Sequence, residues 1–198
     1  MIKKNPLRYS RGLAATLIAL SCWTLSGCTV TAPPNDNGSH HADRHEINTG
    51  AEAALSKLYA TVPSSREMVR HAYGVLVFPS VFQAGLVVGG EYGRGALRVG
   101  DETQGYYNIA AGSLGWQIGA QSKAIVLLFM TPDALSRFRQ SNGWEVGADA
   151  TVAVATVGAN GDVDSSVARN PMVAFVMTNA GLMAGVSLQG AKISHITP

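Results

Sequence analysis

Cysteine is nearly absent: the chain holds only Cys22 and Cys28, both close to its start. Everything after residue 28 is therefore without a disulfide, a free thiol or a thiolate metal ligand, which excludes a disulfide-stapled scaffold and a cysteine-built zinc site. Charged residues are sparse, at 14%. No 20-residue apolar stretch exists, which argues against a stable helical membrane span. The motifs of common enzymes are missing too. There is no His-Glu-x-x-His and no Gly-x-Ser-x-Gly, and Gly112-Ser113-Leu114-Gly115 is too short for a nucleophile elbow. Gly89-Gly90-Glu91-Tyr92-Gly93-Arg94-Gly95 lacks the glycine order, the lysine and the following helix of a phosphate loop, and reads as a hairpin turn. Asn160-Gly161-Asp162-Val163-Asp164 has calcium-like oxygens without a distal bidentate glutamate, and reads as a turn. His71 and His195 stand far apart in sequence and read as structural or exposed. Trp116 and Trp144 read by default as core residues. No catalytic residue, metal site or cofactor is expected.

What is present begins with a leader. Lys3, Lys4, Arg8 and Arg11 form a positive opening, and Leu13 to Leu25 is apolar or small. As a helix that stretch spans roughly 20 Å, short of the ~30 Å hydrocarbon layer, so it reads as the apolar core of a signal peptide. Leu25-Ser26-Gly27-Cys28 follows and resembles the bacterial lipobox: small residues admit the peptidase, and the Cys28 thiol accepts a diacylglyceryl group. Acyl chains such as palmitate, at ~0.8 kcal/mol per buried CH₂, make such an anchor lasting. Thr29 stands where an Asp would favour retention in an inner membrane, so the expected destination is the outer membrane, periplasm-facing. Removing residues 1–27 takes four of the fifteen basic residues and none of the thirteen acids, leaving a net charge of −2. That balance argues against nucleic acid as a partner.

Residues 28–48 read as a flexible tether, rich in Pro, Asn and Gly. His40, His41 and His45, with Asp43 and Glu46, offer weak metal ligands that nothing folded holds in place. A helix is expected near Asn48, with Thr49 and Glu52 as a capping box and Ala51, Leu55, Leu58, Tyr59 and Val62 on one face. Pro63 ends it. Ser64 to Glu67 is a second capping box, starting a short helix through about His71. From residue 74 the texture turns to β. Short apolar runs begin with Val75–Phe78, closed by Pro79. Further runs cover 86–92, 96–99, 106–110, 113–120, 124–130, 152–157, 172–178, 182–189 and 192–196. Thr131-Pro132-Asp133 caps one more helix, with Leu135 and Phe138 inward and Arg137 and Arg139 outward; Asn142-Gly143 ends it. The fold class is α+β: a curved or barrel-like antiparallel sheet with two N-terminal helices and one further helix packed on it. Gly85–Gly89, Gly115–Gly119 and Gly181–Gly185 share a Gly-x-x-x-Gly spacing. On a strand this puts both glycines on one face, for sheet curvature or a shallow groove.

Three blocks carry a family resemblance. Val77 to Gly95 (VFPSVFQAGLVVGGEYGRG) resembles the opening signature of the SYLF domain family, also called actin-binding after its yeast members. Gly112 to Gln121 resembles its middle block and Gly181 to Gly190 its closing block, so the likeness spans roughly residues 50–196. Residues 49–198 are accordingly identified as a SYLF-type domain. The resemblance implies a non-enzymatic lipid-binding module. Eukaryotic members bind phosphoinositides through an amphipathic helix and basic residues, and some bind actin; for an envelope lipoprotein the property that carries over is affinity for anionic phospholipid. On that view Lys57, Arg66 and Arg70 meet headgroups while Leu55, Leu58 and Tyr59 insert or pack. Two positions depart from the family pattern. Val157-Gly158-Ala159-Asn160-Gly161 replaces its Gly-Pro-x-Gly turn, and Val176-Met177-Thr178 replaces an aromatic-Ser pair. The alternative reading is a structural lipoprotein whose domain docks a protein partner in the envelope.

Overall fold

The apolar run Ile125-Val126-Leu127-Leu128-Phe129 has no polar alternation, the pattern of a strand covered on both faces. A computed structural model places it there. It describes residues 36–85, 88–114, 119–141, 143–156, 163–183 and 186–198. The elements are α1 (Asp36–Thr61), α2 (Ser65–His71), β1 (Gly74–Gly85), β2 (Val88–Val99), β3 (Glu102–Leu114), β4 (Gly119–Phe129), α3 (Pro132–Gln140), β5 (Trp144–Glu145), β6 (Ala153–Val154), α4 (Ser165–Ala168), β7 (Met172–Thr178), β8 (Gly181–Leu182) and β9 (Lys192–Ile196). One sheet, curled into a half-barrel, runs in the order β5-β9-β3-β2-β1-β4-β7-β6, with β8 on β7. Every pairing between these strands among the described residues is antiparallel except β6 on β7.

The sheet has a core on each face. On one, α1 lays Ala51, Ala54, Leu55, Leu58 and Val62 against Val75, Val77, Val126, Leu128, Val173 and Phe175. On the other, α3 sets Leu135 and Phe138 over Leu76, Phe78, Leu97, Ile125, Leu127 and Phe129. Trp144 is buried here as expected, edge-on to Phe138 at 5.7 Å between ring centres. The fold class expected from sequence is the one observed. So is the α3 cap: Thr131 Oγ1 accepts from the Ala134 amide, with Pro132 in the first turn.

Several local expectations are overturned. The first helix starts at Asp36, well before Asn48, so Thr49 lies mid-helix and caps nothing; the polar stretch from Asp36 on, His40, His41 and His45 included, is helical. Its first half has little apolar surface and is held by polar reach across the fold. Arg94 lies 3.1 Å from Asp43 and 3.9 Å from Glu46. Arg44 donates to the Pro198 carbonyl, and Asn48 donates to the Tyr106 hydroxyl while accepting from Thr103. Ser64 precedes α2 without a capping bond; instead Ser65 Oγ donates to the Val62 carbonyl at 2.6 Å.

Pro79 does not close the first strand. β1 continues to Gly85 because Pro79, which has no N–H to give, sits in a bulge where the register shifts against both β2 and β4. Nor is the segment Gly89 to Gly95 a turn: it runs inside β2. Glycine is required there by the bulge opposite. A Cβ on Gly95 would stand 2.3 Å from the Val77 carbonyl oxygen, and one on Gly93 2.7 Å from that of Ser80. Gly85 and Gly89 do not lie four apart along one strand; they are partners across the β1–β2 pair. Among the described residues of the runs expected at 152–157 and 182–189, strand is confined to the two-residue β6 and β8, and α4, capped by Asp164, was not anticipated. The leader, Cys28, Trp116 and the Gly-Pro-x-Gly replacement at 157–161 lie outside the described residues.

Candidate functional site

The inward face of α1 is fixed by its apolar stripe, which decides what is left to face outward. Leu58 is fully buried and Leu55 8% exposed, so both pack into the sheet and neither is presented to a bilayer. Tyr59, half-buried, stands at the edge of that stripe. It faces a cleft of about 610 Å³ between α1, α2 and the ends of β1 and β2, lined among others by Glu52, Tyr59, Val69, Arg70, Arg98 and Asp101.

Two guanidinium groups, of Arg66 and Arg98, act on Tyr59, and a third, of Arg70, lines the same cleft. Arg66, on the first turn of α2, stacks over its ring at 4.6 Å from the centre. Arg70 lines the cleft and pairs with Glu67 at 3.1 Å. Arg98 rises from β2, 3.8 Å from Glu52, and donates to the Asp101 carbonyl at 3.4 Å. Burial pushes the Tyr59 phenol above its ordinary pKa, with Arg66 and then Arg98 pulling it back. The hydroxyl therefore stays protonated and serves as a donor at any physiological pH. Arginine forks beside a phenol suit an oxyanion such as a phosphate ester. Three carboxylates, Glu52, Glu67 and Asp101, line or adjoin the same cleft, so an incoming anion must take guanidiniums already engaged.

The structure thus brings together Tyr59, Arg66 and Arg70 of the residues expected to meet lipid. Lys57 is not with them: it lies on the opposite flank of α1, with its Nζ 3.5 Å from Asn179 Oδ1 at the β7–β8 turn. Arg98 was missed from sequence. The signal was its place in β2, two and four residues from Ala96 and Arg94, on the face that α1 covers.

The remaining polar groups are spread through the fold. His71 Nδ1 lies 2.9 Å from the Glu67 carbonyl, and His195 meets Tyr107 edge-on at 5.3 Å. Among the described residues no group of three or more His, Cys, Asp or Glu is placed to hold a metal, and no helix is long and apolar enough to cross a membrane. Lys123 and Glu91 form a nearly buried ion pair, the ammonium 2.8 Å from both carboxylate oxygens.

A curled sheet roofed by a helix, with an arginine-lined cleft beside that roof, offers surfaces for binding. Residues 110–197 match the family model Ysc84, described as Las17-binding protein, actin regulator. The match covers somewhat under half of the chain, from late β3 through β9. It contains the middle and closing blocks that resemble the SYLF family, and leaves out α1, α2 and the cleft they frame. No curated protein matches the chain.

Proposed function

We propose that this protein is a non-enzymatic lipoprotein of the bacterial outer membrane, cut before Cys28, acylated there, and binding anionic phospholipid through the α1–α2 cleft. The observation that carries the reading is a cleft lined by Tyr59, Arg70 and Arg98, with Arg66 stacked on the Tyr59 ring at its side. The lipobox-like Leu25-Ser26-Gly27-Cys28 supports the anchor, and the match of residues 110–197 to a binding family supports the absence of catalysis. Phosphate diesters carry one negative charge and two free oxygens, which two guanidiniums and a phenol can share.

The test is co-sedimentation of a Cys28→Ser chain lacking the leader with neutral and anionic liposomes, beside an Arg66→Glu/Arg70→Glu/Arg98→Glu variant. Binding to anionic vesicles that salt and the charge reversals both remove is the expected result. Binding to neither kind of vesicle sinks the lipid reading. The alternative, docking of an envelope protein, draws on the charge balance of the cleft: three arginines beside three carboxylates suit a mixed peptide surface as well. One stoichiometric protein co-purifying without lipid would favour it.

A further inference from the structure

Large apolar side chains exposed on this fold are few: among the described residues they are Tyr73 at 52%, Phe82 at 54% and Tyr92 at 52%. Two of the three are neighbours. Phe82 on β1 and Tyr92 on β2 are direct cross-strand partners, so their rings stand side by side on one face of the sheet. The same row continues to Ser122 on β4, and to Ala110 on β3, before it reaches Lys192 and Glu145 at the edge. Across four strands it carries no charge. The next row toward the hairpin ends holds Ala84, Gly90 and Gly112, all exposed.

Those two glycines have no explanation inside the fold. Glycine in a strand interior costs stability. Unlike Gly93 and Gly95, which the bulge requires, Gly90 and Gly112 would set a Cβ into open space, with nothing within 4 Å, and neither has a positive φ. The result is a flat, uncharged floor beside two projecting aromatic rings, with no other described residue laid over it.

The chain's own start says what covers it. α1 crosses the adjacent row, where Asp43 pairs with Arg94, and runs on N-terminally to Asp36. Cys28 precedes Asp36 by eight residues, a reach of at most ~29 Å. An acyl anchor there keeps this end of the sheet within reach of the bilayer. The arginine cleft lies at the other end of β1 and β2, roughly 20 Å away at ~3.3 Å per residue. We infer that Phe82 and Tyr92, with the flat Ala84–Gly90–Gly112 floor, form the face that rests on the anchoring membrane, aromatic rings at headgroup depth. Amphipathic and aromatic rings favour that interfacial depth. The inference rests on the anchor at Cys28 from the proposed function, and not on phospholipid in the cleft.

The test uses the full mature protein reconstituted in phosphatidylethanolamine–phosphatidylglycerol vesicles. A fluorophore is placed by Ser122→Cys, in the aromatic row, or by Ser136→Cys, on α3 over the other face of the sheet, and a lipid-borne nitroxide serves as quencher. The expected result is quenching at 122 several-fold above that at 136. In the Phe82→Ser/Tyr92→Ser background the excess at 122 should vanish. Burying two half-exposed rings is worth on the order of tenfold in partitioning, enough to be read. Equal quenching at the two sites, or more at 136, overturns the inference. So does a label at 122 that is shielded from lipid but self-quenches with protein density, which would assign the face to a second copy. Far-UV circular dichroism checks the double variant; if it does not fold, the two labels in the parent chain still decide. The intact mass reports the anchor separately: unmodified Cys28 refutes the lipoprotein reading, whereas acylated Cys28 without quenching at 122 refutes only this face.

Discussion

Gly95→Ala should be among the most damaging single-methyl additions in this protein. Pro79 bulges β1 toward β2, and the added Cβ would stand 2.3 Å from the Val77 carbonyl oxygen and 2.6 Å from Phe78 Cδ1. Neither neighbour can yield easily. The carbonyl belongs to the central strand, paired on both sides, and Phe78 is fully buried. Overpacking of a rigid core costs about 1–3 kcal/mol, and backbone contact puts this case at or above the upper end. Against a total stability of roughly 5–15 kcal/mol, that is a large share. For a body of this size it corresponds to a fall in Tm of roughly 6–12 °C at 3 kcal/mol. Gly90→Ala is the internal control, in the same strand with nothing within 4 Å of the new methyl. It should be neutral or stabilising by up to ~1 kcal/mol, since it removes glycine's unfolded-state freedom. Urea denaturation of both variants beside the parent measures the difference. Equal midpoints for the two variants would refute the reasoning that the Pro79 bulge, and not strand curvature in general, demands glycine in β2.

Removing one partner of the Lys123–Glu91 pair should destabilise strongly, by about 3–5 kcal/mol for Lys123→Met alone, because a nearly buried carboxylate is left unpaired; Lys123→Met/Glu91→Leu should recover most of that loss, as chemical denaturation of the three proteins would show. Leu58→Ala, at a fully buried site between α1 and the sheet, should cost about 2–5 kcal/mol, and a loss under 1 kcal/mol would mean α1 is not docked. The Asp133 carboxyl is held below the usual carboxylate range by the hydrogen bond from Arg137 and, after it, by the guanidinium's charge. Its contribution is therefore present above the unfolded carboxylate pKa and is lost as pH falls through the depressed one. The group is exposed, so the effect is small: Asp133→Asn should be slightly less stable than the parent at pH 7 and should match it in acid, as thermal melts across pH would register.

The sheet was legible wherever burial wrote itself into composition. Ile125 to Phe129 and Met172 to Met177 are apolar runs because both faces are covered, and α3 announced itself by Thr131-Pro132-Asp133. The second half of α1 was legible by its stripe, Ala51 to Val62. Its first half was not, since Asp43 and Glu46 find their partner, Arg94, across more than forty residues of chain and leave no local period. Pro79 and the glycines of β2 misled for a related reason: each is a local strand breaker, and only their juxtaposition across the β1–β2 ladder turns them into a bulge and its accommodation. For the cleft, Tyr59, Arg66 and Arg70 followed from helical spacing. Arg98 is brought to them by strand pairing, and Lys57, two residues before Tyr59, is carried to the opposite flank by helical rotation.

The claim that phospholipid occupies the α1–α2 cleft is tested most directly by extracting and quantifying the lipid that remains with the purified mature protein after exhaustive detergent exchange, parent beside Arg66→Glu/Arg70→Glu/Arg98→Glu. The account predicts about one anionic phospholipid per parent chain and a marked loss in the variant. Equal lipid in both proteins, or none in the parent, would contradict it.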